Sequence, residues 1–222
     1  CIGPSAITKR HEAGLENPPN DVLGRLAQLY QQGRMQELLS AGQPLLLQHP
    51  NSAPLLGLVG IANLSTGRFG QAKAAFAKLA QLKPNDADAY NNLGIALNEL
   101  GEHDDAIANY QRALALQPNY PGALNNMGNA LRALGRRDEA AQCYQRALKI
   151  TPNYPEALSN LGNALRDNGR LDEAVAAYER ALTIRPAYVD ALNNLAATFV
   201  ALRRRDNAIA CYTRILAINP NH

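Results

Sequence analysis

Asparagine recurs in this sequence at intervals of 34 residues, in a series we call the asparagine ladder: Asn92, Asn126, Asn160 and Asn194. An asparagine amide offers one acceptor oxygen and two donor hydrogens, so it can pair with both the C=O and the N–H of an extended peptide backbone. The ladder therefore predicts a surface that holds a peptide irrespective of its sequence. The alternative is that these residues cap turns or solvate a helix face. Asparagine has a low helix propensity, however, so propensity alone gives no reason for it to recur in helices.

Residues able to support catalysis or bind a metal are scattered. The four histidines, His11, His49, His103 and His222, share no helix face with another histidine or cysteine at metal-ligand spacing. The sequence also lacks a phosphate loop and a nucleophile elbow. Paired carboxylates such as Asp104 with Asp105 begin a helix, where capping explains them. We therefore expect no active site, no metal and no cofactor in this chain.

Two cysteines, Cys143 and Cys211, fall two repeat periods apart. In a stack of helix pairs this separation is roughly 16–20 Å, too far for a disulfide. Unpaired thiols are compatible with a reducing cytosol, and we expect a cytoplasmic location.

Composition favours a soluble, all-α protein. Of 222 residues, 46% are hydrophobic but only 5% are aromatic, and the 22 Lys and Arg nearly balance the 19 Asp and Glu. This balance predicts neither a nucleic-acid nor a membrane-surface role. No apolar run is long enough for a membrane helix.

The dominant feature is an internal repeat. Residues 121–154 and 155–188 are identical at 21 of 34 aligned positions. Each unit carries two stretches of helical periodicity, separated by a turn glycine such as Gly135 or Gly169. Proline closes each second helix, because it lacks an N–H donor and disfavours α geometry in the residue before it. The pattern predicts helix, turn, helix in every unit.

Six units account for most of the chain. Their boundaries are predicted at 19–52, 53–86, 87–120, 121–154, 155–188 and 189–222. The first unit is the most divergent, with Leu26 and Leu38 where small residues sit elsewhere, as expected of a terminal repeat. Residues 1–18 precede the repeats and are expected to be a flexible segment. A start at Cys1 instead of Met indicates processing, an artificial extension or a lipoprotein, and the artificial extension is favoured.

These units resemble the tetratricopeptide repeat (TPR) family. The resemblance rests on a bulky residue at unit position 4, Leu or Met then Gly at 7 and 8, Ala at 20, an aromatic residue at 24, Ala at 27 and Pro at 32. It spans residues 19–222 and implies a right-handed α-solenoid, or superhelix, of six helix-turn-helix units. Its concave groove, lined by first helices, is implied to bind a protein or peptide.

The resemblance also implies which residues face the groove. Positions 2, 5, 6, 9, 12 and 13 of each unit are expected there. Besides the ladder at position 6, the candidate binding residues are Asn91 and Asn125 at position 5, Asn129 and Asn163 at position 9, and Arg132 and Arg166 at position 12. The two arginines form a basic edge, with Glu99, Glu156 and Asp167 close by on the same face.

The ladder further resembles the TPR domain of O-linked N-acetylglucosamine transferases and their bacterial relatives, where groove asparagines bind the protein substrate. A second hypothesis is thus a recognition arm of a glycosyltransferase or sulfotransferase whose catalytic domain lies elsewhere. Chaperone-binding TPR domains instead clamp a terminal carboxylate with basic residues at positions 5 and 6. Here these positions carry mostly asparagine, so that interpretation is disfavoured.

A third hypothesis is a self-assembling solenoid. The second helix of the last unit exposes Ile209, Tyr212 and Leu216 to no following helix in this sequence. We therefore expect either that more chain follows in the natural protein or that another copy packs there. The run Arg203 to Arg205 replaces the turn glycine of this unit and is expected to be a solvated turn.

Overall fold

A computed structural model of the chain describes residues 17–219. The expectations for Cys1, for residues 1–16 of the N-terminal segment, and for His11, Pro220 and His222 therefore lie outside the described residues. Residues 17–219 contain twelve α-helices and no strand, so the predicted all-α fold of helix-turn-helix units is confirmed. The chain divides after Gln117 into two compact units, each containing three helix pairs.

The N-terminal unit contains α1 to α6. Their bounds are α1 Asn20–Gln31, α2 Met35–Gln48, α3 Ala53–Ser65, α4 Phe69–Leu82, α5 Ala87–Glu99 and α6 His103–Leu116. The C-terminal unit contains α7 to α12. Their bounds are α7 Pro121–Ala133, α8 Arg137–Ile150, α9 Pro155–Asp167, α10 Leu171–Ile184, α11 Val189–Ala201 and α12 Arg205–Ile218. Within each unit the second helix of a pair packs against the first helix of the next pair.

The turn inside each pair explains why glycine recurs there. Gly33, Gly67, Gly101, Gly135 and Gly169 all have φ between 71° and 78°, a left-handed conformation that costs little only for glycine. In the sixth pair Arg203 takes the same conformation, with φ of 59°. The predicted prolines also act as expected, because α6, α8 and α10 end two residues before Pro118, Pro152 and Pro186.

The expectation that acidic residues cap the second helices is wrong. No side-chain cap hydrogen bond is present at α6 or α8, and the N-cap of α8 is Arg136. Glu139 instead accepts two hydrogen bonds of 2.7 Å from Arg136, which hold the pKa of that carboxyl below its usual range. Glu139 therefore acts through an ion pair and the helix dipole rather than as a cap.

A glycine in the first helix faces an aromatic ring from the second helix in four consecutive pairs. The pairs are Gly60 with Phe76, Gly94 with Tyr110, Gly128 with Tyr144, and Gly162 with Tyr178. A Cβ added to any of these glycines would lie 2.5–2.7 Å from the nearest ring atom. The four rings are almost completely buried. The ring fills the space that a side chain at the glycine would need.

The first pair reverses this arrangement of sizes. Leu26 is buried at the position of the glycine, and Gly42 stands at the position of the ring. A Cβ on Gly42 would lie 2.9 Å from a methyl group of Val59. Leu26, Leu38 and Leu39 form a core with Leu55 and Val59 of the next pair. The sequence of this unit therefore differs from the others because its core is packed differently, as well as because it has a terminal outer face.

At the other end of the chain, α12 presents apolar side chains to solvent. Ile209, Tyr212 and Leu216 are each between 43% and 55% exposed. Self-association through this face stays a prediction.

Candidate functional site

The ladder asparagines of the C-terminal unit lie on consecutive first helices. Asn126, Asn160 and Asn194 belong to α7, α9 and α11, and all three are half-buried. Helix α9 packs against both α7 and α11. The 34-residue spacing therefore places the three amides along one face, which we call the first-helix face.

The residues at position 5 were expected on the binding surface, but three of them are buried. Asn125, Ser159 and, in the N-terminal unit, Asn91 are all buried. Asn160 donates a hydrogen bond of 3.0 Å from Nδ2 to Oδ1 of Asn125, which crosses from α9 to α7. This bond satisfies a buried acceptor and fixes the amide of Asn160. Asn160 keeps its second N–H and its carbonyl oxygen for other partners.

Position 9 contacts the core tyrosines. The hydroxyl of Tyr144 donates to Oδ1 of Asn129, and the hydroxyl of Tyr178 donates to Oδ1 of Asn163, both at 2.7 Å. Sequence reasoning missed this role, because the signal for it is incomplete. Glycine at position 8 and tyrosine at position 24 occur together in three units, and two of these have asparagine at position 9, whereas the unit of Tyr110 has Ile95.

Because the side chain of Tyr178 is buried, we expect the stability of the protein to fall measurably at alkaline pH. Desolvation raises the pKa of Tyr178 from 10.0 to about 12. Because the folded chain holds this proton more tightly than the unfolded chain, the stabilisation is complete below pH 10 and is lost as the pH rises towards 12. We expect urea unfolding of the Tyr178→Phe variant to show a smaller loss of stability across this interval than the wild type. An equal loss in both proteins would contradict this assignment.

The arginines at position 12 do not form a simple basic edge. Asp167 lies between them, with its carboxylate 3.5 Å from Arg132 and 3.9 Å from Arg166. Arg166 also donates a hydrogen bond of 3.2 Å to Oδ1 of Asn194 on the next first helix. The two guanidinium groups are therefore partly neutralised, and Arg166 helps to orient a ladder amide.

In the N-terminal unit, the ladder has a single member, Asn92 on α5. Its Oδ1 accepts a hydrogen bond of 3.4 Å from the neighbouring Asn91. Both residues lie on the first helix of their pair, with Asn91 buried and Asn92 half-buried.

The two cysteines and the titratable side chains are the remaining residues with reactive chemistry among residues 17–219. Cys143 and Cys211 are free, buried thiols, and burial raises the pKa of each. Among residues 17–219, no cluster of three His, Cys, Asp or Glu side chains could hold a metal ion. Between residues 17 and 219, none of the helices meets the length and hydropathy that a membrane-spanning segment requires.

Together, these observations define a helical repeat protein whose first helices present linked amide and guanidinium groups. Family models described as "TPR repeat" match residues 128–169 and 162–202, and models described as "Tetratricopeptide repeat" match 53–86, 87–120, 109–142 and 189–222. The matches span residues 53–222 without a gap. The chain belongs to the tetratricopeptide repeat family.

Solved structures of TPR proteins have similar folds. Pseudomonas aeruginosa pilF superposes with a TM-score of 0.75 at 16% identity, covering 91% of this chain and 92% of its own. A thermophilic TPR protein of Thermus thermophilus, TTC0263, gives 0.68 at 26% identity, covering 81% and 98%. YrrB, described as a TPR protein with an unusual peptide-binding site, gives 0.61 at 22% identity, covering 82% and 94%. No curated protein sequence matches the chain.

Proposed function

We propose that this chain is a protein-interaction scaffold that binds an extended segment of a partner on its first-helix face. The observation that carries the proposal is the hydrogen bond from Asn160 to Asn125, because it orients a half-buried amide at a position where asparagine recurs in four units. An oriented amide loses little side-chain entropy when it pairs with a peptide backbone. The hydrogen bond from Arg166 to Asn194 gives the next amide the same support.

Backbone pairing by asparagine selects an extended conformation rather than a sequence. The arginines and Asp167 would then set the charge preference of the partner, with acidic side chains favoured near Arg132 and Arg166. The peptide-binding description of YrrB, a protein of similar fold, is in keeping with such a role. The proposal requires no catalytic group from this chain.

The test begins with random linear peptides selected against the wild-type protein, followed by titration of a selected peptide with purified variants. We expect Asn194→Ala to weaken binding about three- to tenfold, which corresponds to the loss of one net hydrogen bond of roughly 1 kcal/mol. Gln145→Ala, on the exposed side of α8, is the matched control and should leave the affinity unchanged. Equal affinities of the wild type and Asn194→Ala would contradict the proposal.

Asn160→Ala needs a stability measurement alongside the binding assay. It removes the partner of Asn125, a buried acceptor, so we expect it to lower the free energy of unfolding by about 1–3 kcal/mol as well as to weaken binding. Asn194→Ala removes only the acceptor of a partly exposed guanidinium and separates the two effects.

A further inference from the structure

A second candidate site lies in the N-terminal unit. Helices α2, α3 and α4 line an open cleft of about 690 Å³. Its apolar lining includes Pro44, Leu46 and Leu47 from α2, Leu56 and Val59 from α3, and Ala75 from α4. Leu47 is 86% exposed, an unusual position for a leucine in the absence of a partner.

The C-terminal unit offers an internal comparison. The equivalent cleft between α10, α11 and α12 has a volume of about 340 Å³, half that of the first. Where the smaller cleft has Thr183 and Phe199, the larger has Leu47 and Asn63. Pro44 likewise replaces a long basic side chain, Arg180. These substitutions distinguish the larger cleft from its counterpart in the C-terminal unit.

Asn63 is the residue that points to a ligand. The other five units have an apolar residue at its position: Leu29, Leu97, Leu131, Leu165 and Phe199. Asn63 is only 2% exposed, it lines the cleft, and its Oδ1 accepts no hydrogen bond. This oxygen is itself closed to solvent, so a ligand donor reaches it when the side-chain amide turns towards the cleft. A buried acceptor without a donor destabilises a protein, so its presence calls for a partner that the chain does not supply.

Lys78 adds a charge to the same cleft. It lies on α4, lines the cleft and is half-buried. Among residues 17–219 no carboxylate forms an ion pair with it, in contrast to Lys73 on the same helix, which is paired with Glu102. An anionic group on the ligand would fill this role at the edge of an apolar surface.

These features restrict the chemistry of the occupant. An acyl chain would fill the apolar space but has no donor for Asn63, and a sugar would leave its hydroxyl groups against an apolar lining. An indole ring combines a large apolar surface with one N–H donor. We propose that this cleft binds a tryptophan side chain of a partner protein, with a neighbouring carboxylate of that partner paired to Lys78.

The proposal is independent of the first-helix face and can be tested with a defined probe. The chain contains no tryptophan, so indole fluorescence reports only the blocked peptide acetyl-Ala-Trp-Asp-Ala-amide. We expect saturable binding that Asn63→Leu weakens about tenfold and Lys78→Ala weakens about threefold. The Asn63→Leu variant should melt at a higher temperature than the wild type, because it removes the unpaired acceptor and restores the residue type of the other units. Phe199→Leu in the smaller cleft is the matched control and should not change the affinity.

A change in the probe isolates the hydrogen bond. A peptide with naphthylalanine, which has a similar shape but no ring N–H, should bind the wild type about tenfold more weakly and should bind Asn63→Leu as well as the tryptophan peptide does. The absence of saturable binding, or equal affinities of both peptides for the wild type, would overturn the proposal. So would a dimer of the free protein that Leu47→Asp dissociates, because a second copy would then be the occupant. Asn194→Ala should leave this binding unchanged, which separates it from the proposed function.

Discussion

The Tyr144→Ala substitution is expected to lower the free energy of unfolding by about 3–5 kcal/mol, as is typical of the removal of a large buried aromatic ring. The ring of Tyr144 is completely buried against Gly128, and its hydroxyl is hydrogen-bonded to Asn129. Because glycine has no side chain that could move into the space, the cavity would remain open. Urea unfolding followed by circular dichroism measures the effect.

The sixth pair supplies the control. Tyr212 occupies the same unit position as Tyr144 but is 43% exposed. We expect Tyr212→Ala to cost less than about 1 kcal/mol, since much less apolar surface returns to water. Similar losses in the two variants would contradict the packing described for the glycine and the ring.

The Gly128→Leu substitution is expected to cost about 3 kcal/mol, at the upper end of the usual range for overpacking. A Cβ at this position would lie 2.5 Å from the ring of Tyr144, which is enclosed on all sides and cannot swing away. The melting temperature and urea midpoint should both fall. Gly70→Ala is the control, because Gly70 lies in α4 with no atom within 4 Å of the added Cβ. It should stabilise the protein by about 0.5–1 kcal/mol through helix propensity.

A double variant separates overpacking from a general intolerance of side chains at this position. In the first pair a large residue, Leu26, is buried at the unit position of Gly128, while Gly42 stands at the unit position of Tyr144. We therefore expect Gly128→Leu combined with Tyr144→Gly to lose less stability than the sum of the two single losses. Additive losses would show that the two positions do not share one space.

The helices were predictable because each boundary has a local cause. Turn glycines have positive φ, and prolines follow the second helices by two residues, so the 34-residue period gives the order and extent of the elements. Arg203 is less predictable, because its left-handed φ of 59° is indicated by its place in the 34-residue period and not by its residue type. A residue other than glycine in this region is strained.

The candidate site was predictable in part. The interval of the ladder placed Asn126, Asn160 and Asn194 on one face, but it gave no indication that Asn125 and Ser159 at position 5 are buried. Which side of a helix is covered depends on the angle at which the neighbouring helix packs, and that angle is not a local property of the sequence. The cleft at Asn63 was missed for a similar reason, since its volume depends on side chains from three helices.

The matched sizes of the first-helix and ring positions bear on how such a gene can change. Both members of every matched pair lie inside one 34-residue unit, so duplication or deletion of a whole unit keeps them together. Recombination within the turn would separate the two members of a pair. A crossover at Gly33 that joined the first helix with Leu26 to a second helix with Phe76 would place two large side chains in one space. Exchange between repeats is therefore tolerated at the ends of a unit and penalised in its middle.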